Sequence, residues 1–191
     1  MIEIIPHQSR WAAEFAEIAM QLRAIVGEVA LRIDHIGSTS VPGLAAKDII
    51  DLMMTVRAFP EIERLAPALE ALGFEYVPEY NADHPKAGRD SSAEQWEKRY
   101  FRQRPPRRKV NFHVRAAGRA NQRYALLFRD YLRAAPEAAA GYEAVKRQLA
   151  RYHRDDMDAY VDIKDPVCDI IMTGAEAWAV LTAWEPGPSD G

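Results

Sequence analysis

Cysteine is almost absent: Cys168 stands alone, which excludes an intrachain disulfide and a cysteine-rich zinc site. No apolar run approaches the roughly 20 residues that a membrane-spanning helix needs. Residues 1–11, MIEIIPHQSRW, lack the basic start and apolar stretch of a secretion signal. Nor is there an excess of charge of one sign. Against 25 Lys and Arg stand 28 Asp and Glu, a net charge of −3, so overall charge does not draw the chain to nucleic acid. What is there is a globular composition, 48% apolar and 28% charged, in 191 residues: one domain, or one with an appended subdomain. Together these predict a soluble, cytoplasmic protein with no membrane and no nucleic-acid partner.

The charge is unevenly spread. Residues 86–115 hold ten Lys and Arg against three acids, and residues 155–191 hold nine acids against one cation, Lys164. A basic middle suits an anionic ligand such as a polyphosphate, and equally a solvated loop that keeps the fold soluble.

Residues 9–30 carry Trp11, Phe15, Ile18, Leu22, Ile25 and Val29 at steps of three and four, the rhythm of an amphipathic helix, with Ser9 as its N-cap. Residues 31–37 read as a short strand bounded by Gly37. Residues 49–56 form the clearest strand, with Asp51 as its only charge, as expected where both faces are covered. Pro60 opens a helix with the stripe Ile62, Leu65, Leu69 and Leu72, stopped by Gly73. Residues 74–77 read as a strand and 78–95, with Pro78, Pro85 and Gly88, as a loop. Residues 96–102 read as a further strand and 104–108 as a turn. In 109–115 strict alternation puts Val110, Phe112 and Val114 on one face and Lys109, Asn111, His113 and Arg115 on the other. Three helices follow: 121–134, one opening at Pro136, and 165–181 with Asp165 as N-cap and Pro166 in its first turn. The expected fold is α/β (α+β): a single domain over 1–182, with a mixed sheet flanked by helices in 1–117 and a helical part in 118–182. Residues 183–191, rich in Pro, Gly, Ser and Asp, read as a flexible tail.

The chemistry lies in HIGSTSVPGLAAKDIID, residues 35–51. Gly37 lets the backbone come close to a ligand, and Ser38, Thr39 and Ser40 offer hydroxyls and backbone N–H groups to phosphate oxygens. Asp51 follows inside an apolar strand, where a carboxylate needs a metal or a strong hydrogen-bond donor.

Ile36-Gly37-Ser38 followed by Asp51 in a hydrophobic strand resembles the signature of the nucleotidyltransferase superfamily with its polymerase-beta-like core. The longer string GSTSVPGLAAK resembles the GrpB family (UPF0157 type), which is also found appended to some dephospho-CoA kinases. Trp11, His113, Phe128-Arg129-Asp130-Tyr131-Leu132-Arg133, Tyr142-Glu143-Ala144-Val145-Lys146, Tyr160 and Lys164 continue the resemblance, which covers most of residues 3–180. It implies a nucleotidyltransferase-like mixed sheet in which the Gly-Ser turn holds a triphosphate and strand carboxylates hold Mg²⁺. On that pattern Asp51 is the metal ligand, and Asp51 and His113 are the catalytic candidates. Gly37, Ser38, Thr39 and Ser40 are the nucleotide or phosphate contacts, and charge adds Lys47, Arg99 and Lys109 as further anion contacts; Lys146 and Lys164, at positions matching the family string, carry weaker expectations. His35 is expected to brace the motif through a ring hydrogen bond.

The sequence departs from that pattern at one critical place. The same-face neighbour of Asp51 is Met53, a poor Mg²⁺ ligand, and the later strand offers Asn111 and His113 in place of carboxylates. A second metal ligand would have to come from Asp83, Glu75 or Glu79. The leading expectation is an NTP- and metal-dependent transfer of a nucleotidyl group to a small acceptor. The alternative is a catalytically silent nucleotide- or phosphometabolite-binding module. A third reading, a kinase, has little behind it, because no G-x-x-x-x-G-K-[ST] loop occurs.

Overall fold

The computed structural model describes residues 1–86 and 90–191; Gly88, one of the expected loop markers, lies outside the described residues. Helix α1 (Arg10–Val26) precedes strands β1 (Arg32–Ile36) and β2 (Ile50–Val56). Helix α2 (Phe59–Ala71), strand β3 (Glu75–Tyr76), the short α3 (Ala93–Trp96) and strands β4 (Arg99–Gln103) and β5 (Val110–Ala116) follow. Helices α4 (Ala120–Ala134), α5 (Pro136–Tyr152) and α6 (Met157–Thr182) complete the chain. The class is mixed α+β.

The sheet order is β1-β2-β5-β4-β3. β2 and β5 run parallel and the other neighbours antiparallel. Side-chain alternation then decides the two faces. Ile50, Leu52, Met54 and Val56 of β2 join Val110, Phe112 and Val114 of β5 in a core closed by Trp11, Phe15 and Leu22 of α1 and Ile62 and Leu69 of α2. The other face carries Asp51, Met53 and Thr55 opposite Asn111, His113 and Arg115 in register. Beyond it lie the helices, held by one cluster of Val41, Leu44, Leu132, Tyr142 and Cys168 and another of Leu127, Met172, Ala175 and Ala179. The polar face of the central strands therefore looks into the seam between sheet and helices.

Several local expectations are corrected. Ser9 makes no capping hydrogen bond. Trp96 ends the turn α3, and β4 starts only at Arg99. The last helix begins at Met157, not Asp165, because the Asp156 carboxylate accepts from the Ala159 N–H and caps it there; Pro166 lies inside the helix. Residues 187–191 lie along the free edge of β1. Ser189 Oγ accepts from Ile33 N (2.9 Å), Gly191 N donates to Ile33 O (3.0 Å), and Asp190 pairs with the buried Arg129 (2.6 Å). An edge strand leaves backbone groups unpaired, and the tail takes them up, so these residues are docked rather than frayed. Among the described residues no helix is long and apolar enough to cross a membrane.

Candidate functional site

β1 ends at Ile36 and the chain turns at Gly37, with φ at +68°. A Cβ there would lie 2.8 Å from Asp51 Cβ and 2.9 Å from Asp51 Cγ. Only glycine lets the turn pass so close to the β2 carboxylate. The three hydroxyls that follow do different work. Ser40 Oγ donates to Gly37 O (2.6 Å) and closes the turn from beneath. Thr39 Oγ1 donates to Ile49 O (3.3 Å), so it must accept from His35 Nε2 (3.0 Å), which assigns the His35 proton to Nε2. The His35 ring stacks on Phe15 at 4.7 Å, and burial pushes its pKa down to about 3, with Arg133 and Arg129 adding to the effect. Ser38 turns its hydroxyl to the helical side instead, where Lys146 and Tyr142 meet it.

Above it is a cavity of about 290 Å³. Gly37, Ser38 and Thr39 form one wall, Asp51, Asn111 and His113 the sheet side, and Tyr142, Lys146, Tyr160 and Lys164 the helical side, with Lys47 and Phe128 at its margins. Asp51 is half-buried. Its Oδ1 accepts from Asn111 Nδ2 (2.8 Å), and Tyr100 OH donates to Asn111 Oδ1 (2.8 Å), which fixes the amide orientation. Oδ2 has no protein donor among the described residues. Burial raises the Asp51 pKa from its ordinary value, against the opposing pull of Asn111 and Lys47.

Lys146 is 2% exposed. Its Nζ donates to Ser38 Oγ (3.0 Å) and Ala45 O (2.5 Å) and lies 4.8 Å from the Tyr142 ring centroid. Burial lowers its pKa to about 8. Lys47 Nζ lies 4.9 Å from the Tyr160 centroid, and burial lowers its pKa as well, with Asp51 opposing. Lys164 pairs with Asp165 at 3.0 Å. Burial, reinforced by Lys98 and Arg115, keeps His113 neutral, and its buried Nδ1 has no hydrogen-bond partner. The lining thus holds three lysines against one carboxylate, with a neutral histidine between.

Met53 is fully buried against Ile36 and Leu126, and its Sδ lies 3.3 Å from Arg115 Nη1. The place where a second carboxylate would stand is core, facing a guanidinium. Of the proposed substitutes, Asp83 is held by Lys98 (2.5 Å) and Arg115 (2.9 Å), Glu75 by Arg102 (2.8 Å), and Glu79 is exposed. Among the described residues no three His, Cys, Asp or Glu side chains gather into a metal site. One carboxylate among ammonium groups does not fit a resident Mg²⁺, which asks for near-octahedral oxygen.

Of the residues expected from the sequence, Gly37, Ser38, Thr39, Lys47, Asp51 and His113 line this one cavity. Ser40 lies buried under it, spent on its own turn. Arg99 lies elsewhere, paired with Glu63 (2.7 Å) and Glu97 (2.9 Å) over the Phe59 ring. Lys109 is exposed before β5 and does not line the cavity. The basic stretch is largely neutralised in this way: Arg102, Arg108 and Arg115 also have acidic partners. Lys146, Lys164 and the two tyrosines are the contributors that the motif alone misses. Their signal is positional. Tyr142, Lys146 and Leu149 share the buried stripe of α5, and Lys164 stands between Tyr160 and Cys168 on that of α6. A lysine on an apolar stripe needs a reason.

The model of the family described as GrpB protein matches residues 1–173. A dephospho-CoA kinase of Mycolicibacterium paratuberculosis is 36% identical over 197 residues, covering 97% of this chain and 48% of that protein. The UPF0157 protein YqkA of Bacillus subtilis is 34% identical, covering 93% of this chain and 48% of that protein. The chain thus spans about half the length of these curated relatives. The crystal structure of the conserved protein GrpB from Enterococcus faecalis superposes with a TM-score of 0.75 at 32% identity, covering 96% of this chain and all of that one.

Proposed function

The chain belongs to the GrpB family, and from that premise we propose that its cleft binds a phosphorylated small molecule, with the phosphate between Ser38 and the lysines. The observation that carries this reading is that Lys47, Lys146 and Lys164 line one cavity with the Gly37–Ser38 turn, Lys146 touching Ser38, while Asp51 is the cavity's single carboxylate. Excess cationic charge in a concave, half-closed site favours an anionic ligand. A hydroxyl already receiving a lysine N–H is placed to join a phosphate oxygen in the same network. The test is calorimetric titration of inorganic pyrophosphate and a panel of phosphorylated metabolites into the wild type and into a Lys47→Met, Lys164→Met double variant. Saturable binding, weakened at least about tenfold in the folded double variant, supports the reading. Absence of binding by every phosphorylated probe refutes it.

A second reading is the metal-assisted nucleotidyl transfer that the superfamily resemblance implies. The Asp51 carboxylate, open to the cleft, favours it, because a magnesium–nucleotide complex brings most of its oxygen ligands with it. Pyrophosphate release from an NTP in the presence of Mg²⁺ and an acceptor pool tests it. The kinase name of the mycobacterial relative is not carried over: this chain covers less than half of that protein and contains no P-loop.

A further inference from the structure

Both readings leave the ligand's other end open, and the cleft wall speaks to it. A nucleotide site must place a flat base, and an aromatic face is the usual platform. Here the candidate faces are taken. Tyr160 is 1% exposed with the Lys47 ammonium over its ring, and Tyr142 is 6% exposed with Lys146 over its ring. Phe128 packs edge-on against Tyr142 (5.5 Å, 86°) and parallel to Tyr124 (6.2 Å, 5°). The tyrosine rings serve to hold ammonium groups at the phosphate end.

The opposite end is an acceptor. Asp51 Oδ1 is held by Asn111, whose own oxygen is occupied by Tyr100, so the amide cannot turn to offer that oxygen without breaking both bonds. That leaves Asp51 Oδ2, an oxygen that asks for a ligand O–H or N–H. The cavity, about 290 Å³, lies just under the roughly 300 Å³ at which drug-sized ligand pockets begin. A triphosphate with its base and an acceptor would have to extend beyond it into solvent. Nor do its donors fit a resident metal.

We infer that the ligand is a phosphorylated polyol of the sugar-phosphate class, held without a metal ion, its phosphate at Ser38 and the lysines and a hydroxyl at Asp51. This rests on the phosphate reading and narrows it. The full-length chain is titrated calorimetrically with inorganic phosphate, glycerol 3-phosphate, ribose 5-phosphate, glucose 6-phosphate, AMP and ATP, each in EDTA and in Mg²⁺. At least one polyol phosphate is expected to bind about tenfold or more tighter than AMP and ATP, with the same affinity in both buffers. In Asp51→Asn, checked for folding by melting, that polyol phosphate weakens about tenfold while inorganic phosphate binds no more weakly than to the wild type. AMP or ATP binding as tightly as every polyol phosphate, a requirement for Mg²⁺, or equal weakening of inorganic phosphate in Asp51→Asn overturns the inference but leaves the phosphate reading standing. Failure of all six probes overturns both.

Discussion

At one end of the β2–β5 pair, Asp51 and Asn111 face a cavity lined by three lysines; at the other, Thr55 and Arg115 adjoin a packed cluster in which Asp83 is gripped by Arg115, Lys98 and Asn121. Four residues along one strand separate two opposite uses of charge. In the packed cluster, burial alone would raise the Asp83 carboxyl, but Arg115 and Lys98 hold it well below the carboxylate range. Its ions satisfy one another, and the cluster ties the chain before α3 to β4, β5 and α4. In the open site, burial raises Asp51 and lowers Lys146, and the protein's partners do not fully reverse either shift. Charge that remains strained in the free protein is charge that a ligand can relieve. Met53 marks the boundary, its thioether touching the packed cluster and its neighbour Asp51 facing the open one.

The hardest blow to this contrast is Met53→Asp. If position 53 belongs to the packed side, the variant loses core packing and buries a carboxylate, and it should be destabilised by about 4 kcal/mol in denaturant titration. Arg115 would offset only part of that, being already engaged by Asp83. Added Mg²⁺ should not restore stability. A stable variant that binds Mg²⁺ would move position 53 into the open site and revive the two-carboxylate scheme.

Asp83→Asn comes next. It leaves Lys98 and Arg115, each 7% exposed, without their shared counter-ion, and should cost about 3 kcal/mol. Phosphate-probe affinity in the folded variant should stay within about twofold, since Asp83 is not among the cavity-lining residues. Lost binding with unchanged stability would mean that the two clusters work as one.

Much of this architecture is legible in the chain, for identifiable reasons. The alternation in β5 separates Phe112 from His113, and the lone charge in β2 singles out Asp51, because a strand's period of two leaves no other arrangement. Gly37 and Ser38 are readable because the turn demands them. Pro166 misleads. Proline favours first turns, but the Asp156 cap nearly three turns earlier starts the helix, and the helix runs on through the proline. Arg99 and Lys109 mislead in another way, since sequence proximity to a motif says nothing about side-chain partners such as Glu63 that arrive from another element. The lysines of α5 and α6 reach the cavity only through tertiary packing, and their place on buried stripes is the sole local hint.

A gentler probe of the open site is pH. The Lys146 ammonium must be charged to hold an anion, and burial brings its pKa to about 8. Binding of sulfate, whose charge does not change in this range, should therefore be strongest below pH 8 and weaken about tenfold between pH 7 and pH 9. Lys146→Met should bind more weakly at pH 7 and lose this step. A wild-type profile flat up to pH 9 would remove Lys146 from the anion contacts.

The smallest expected effect concerns Asp51 and has the opposite sign to most substitutions. Burial raises its pKa in the folded protein above the unfolded value. Such a group favours the fold most when protonated, and the advantage is lost as pH rises through the folded pKa. At neutral pH, ionised Asp51 therefore weighs against the fold. Asp51→Asn keeps an oxygen to accept from Asn111 Nδ2 and removes the charge, so the variant should be more stable than wild type, by less than about 1 kcal/mol. The gain should shrink as pH falls through the raised folded pKa and vanish below about 4, where the carboxyl is protonated in the folded and the unfolded chain alike. Melting curves of both proteins from pH 3 to pH 8 measure it. A variant less stable at every pH would make Asp51 a structural partner of Asn111. A gain confined to neutral pH, together with weakened ligand binding, would show stability given up for a ligand contact at Asp51, which no residue of the packed cluster should show.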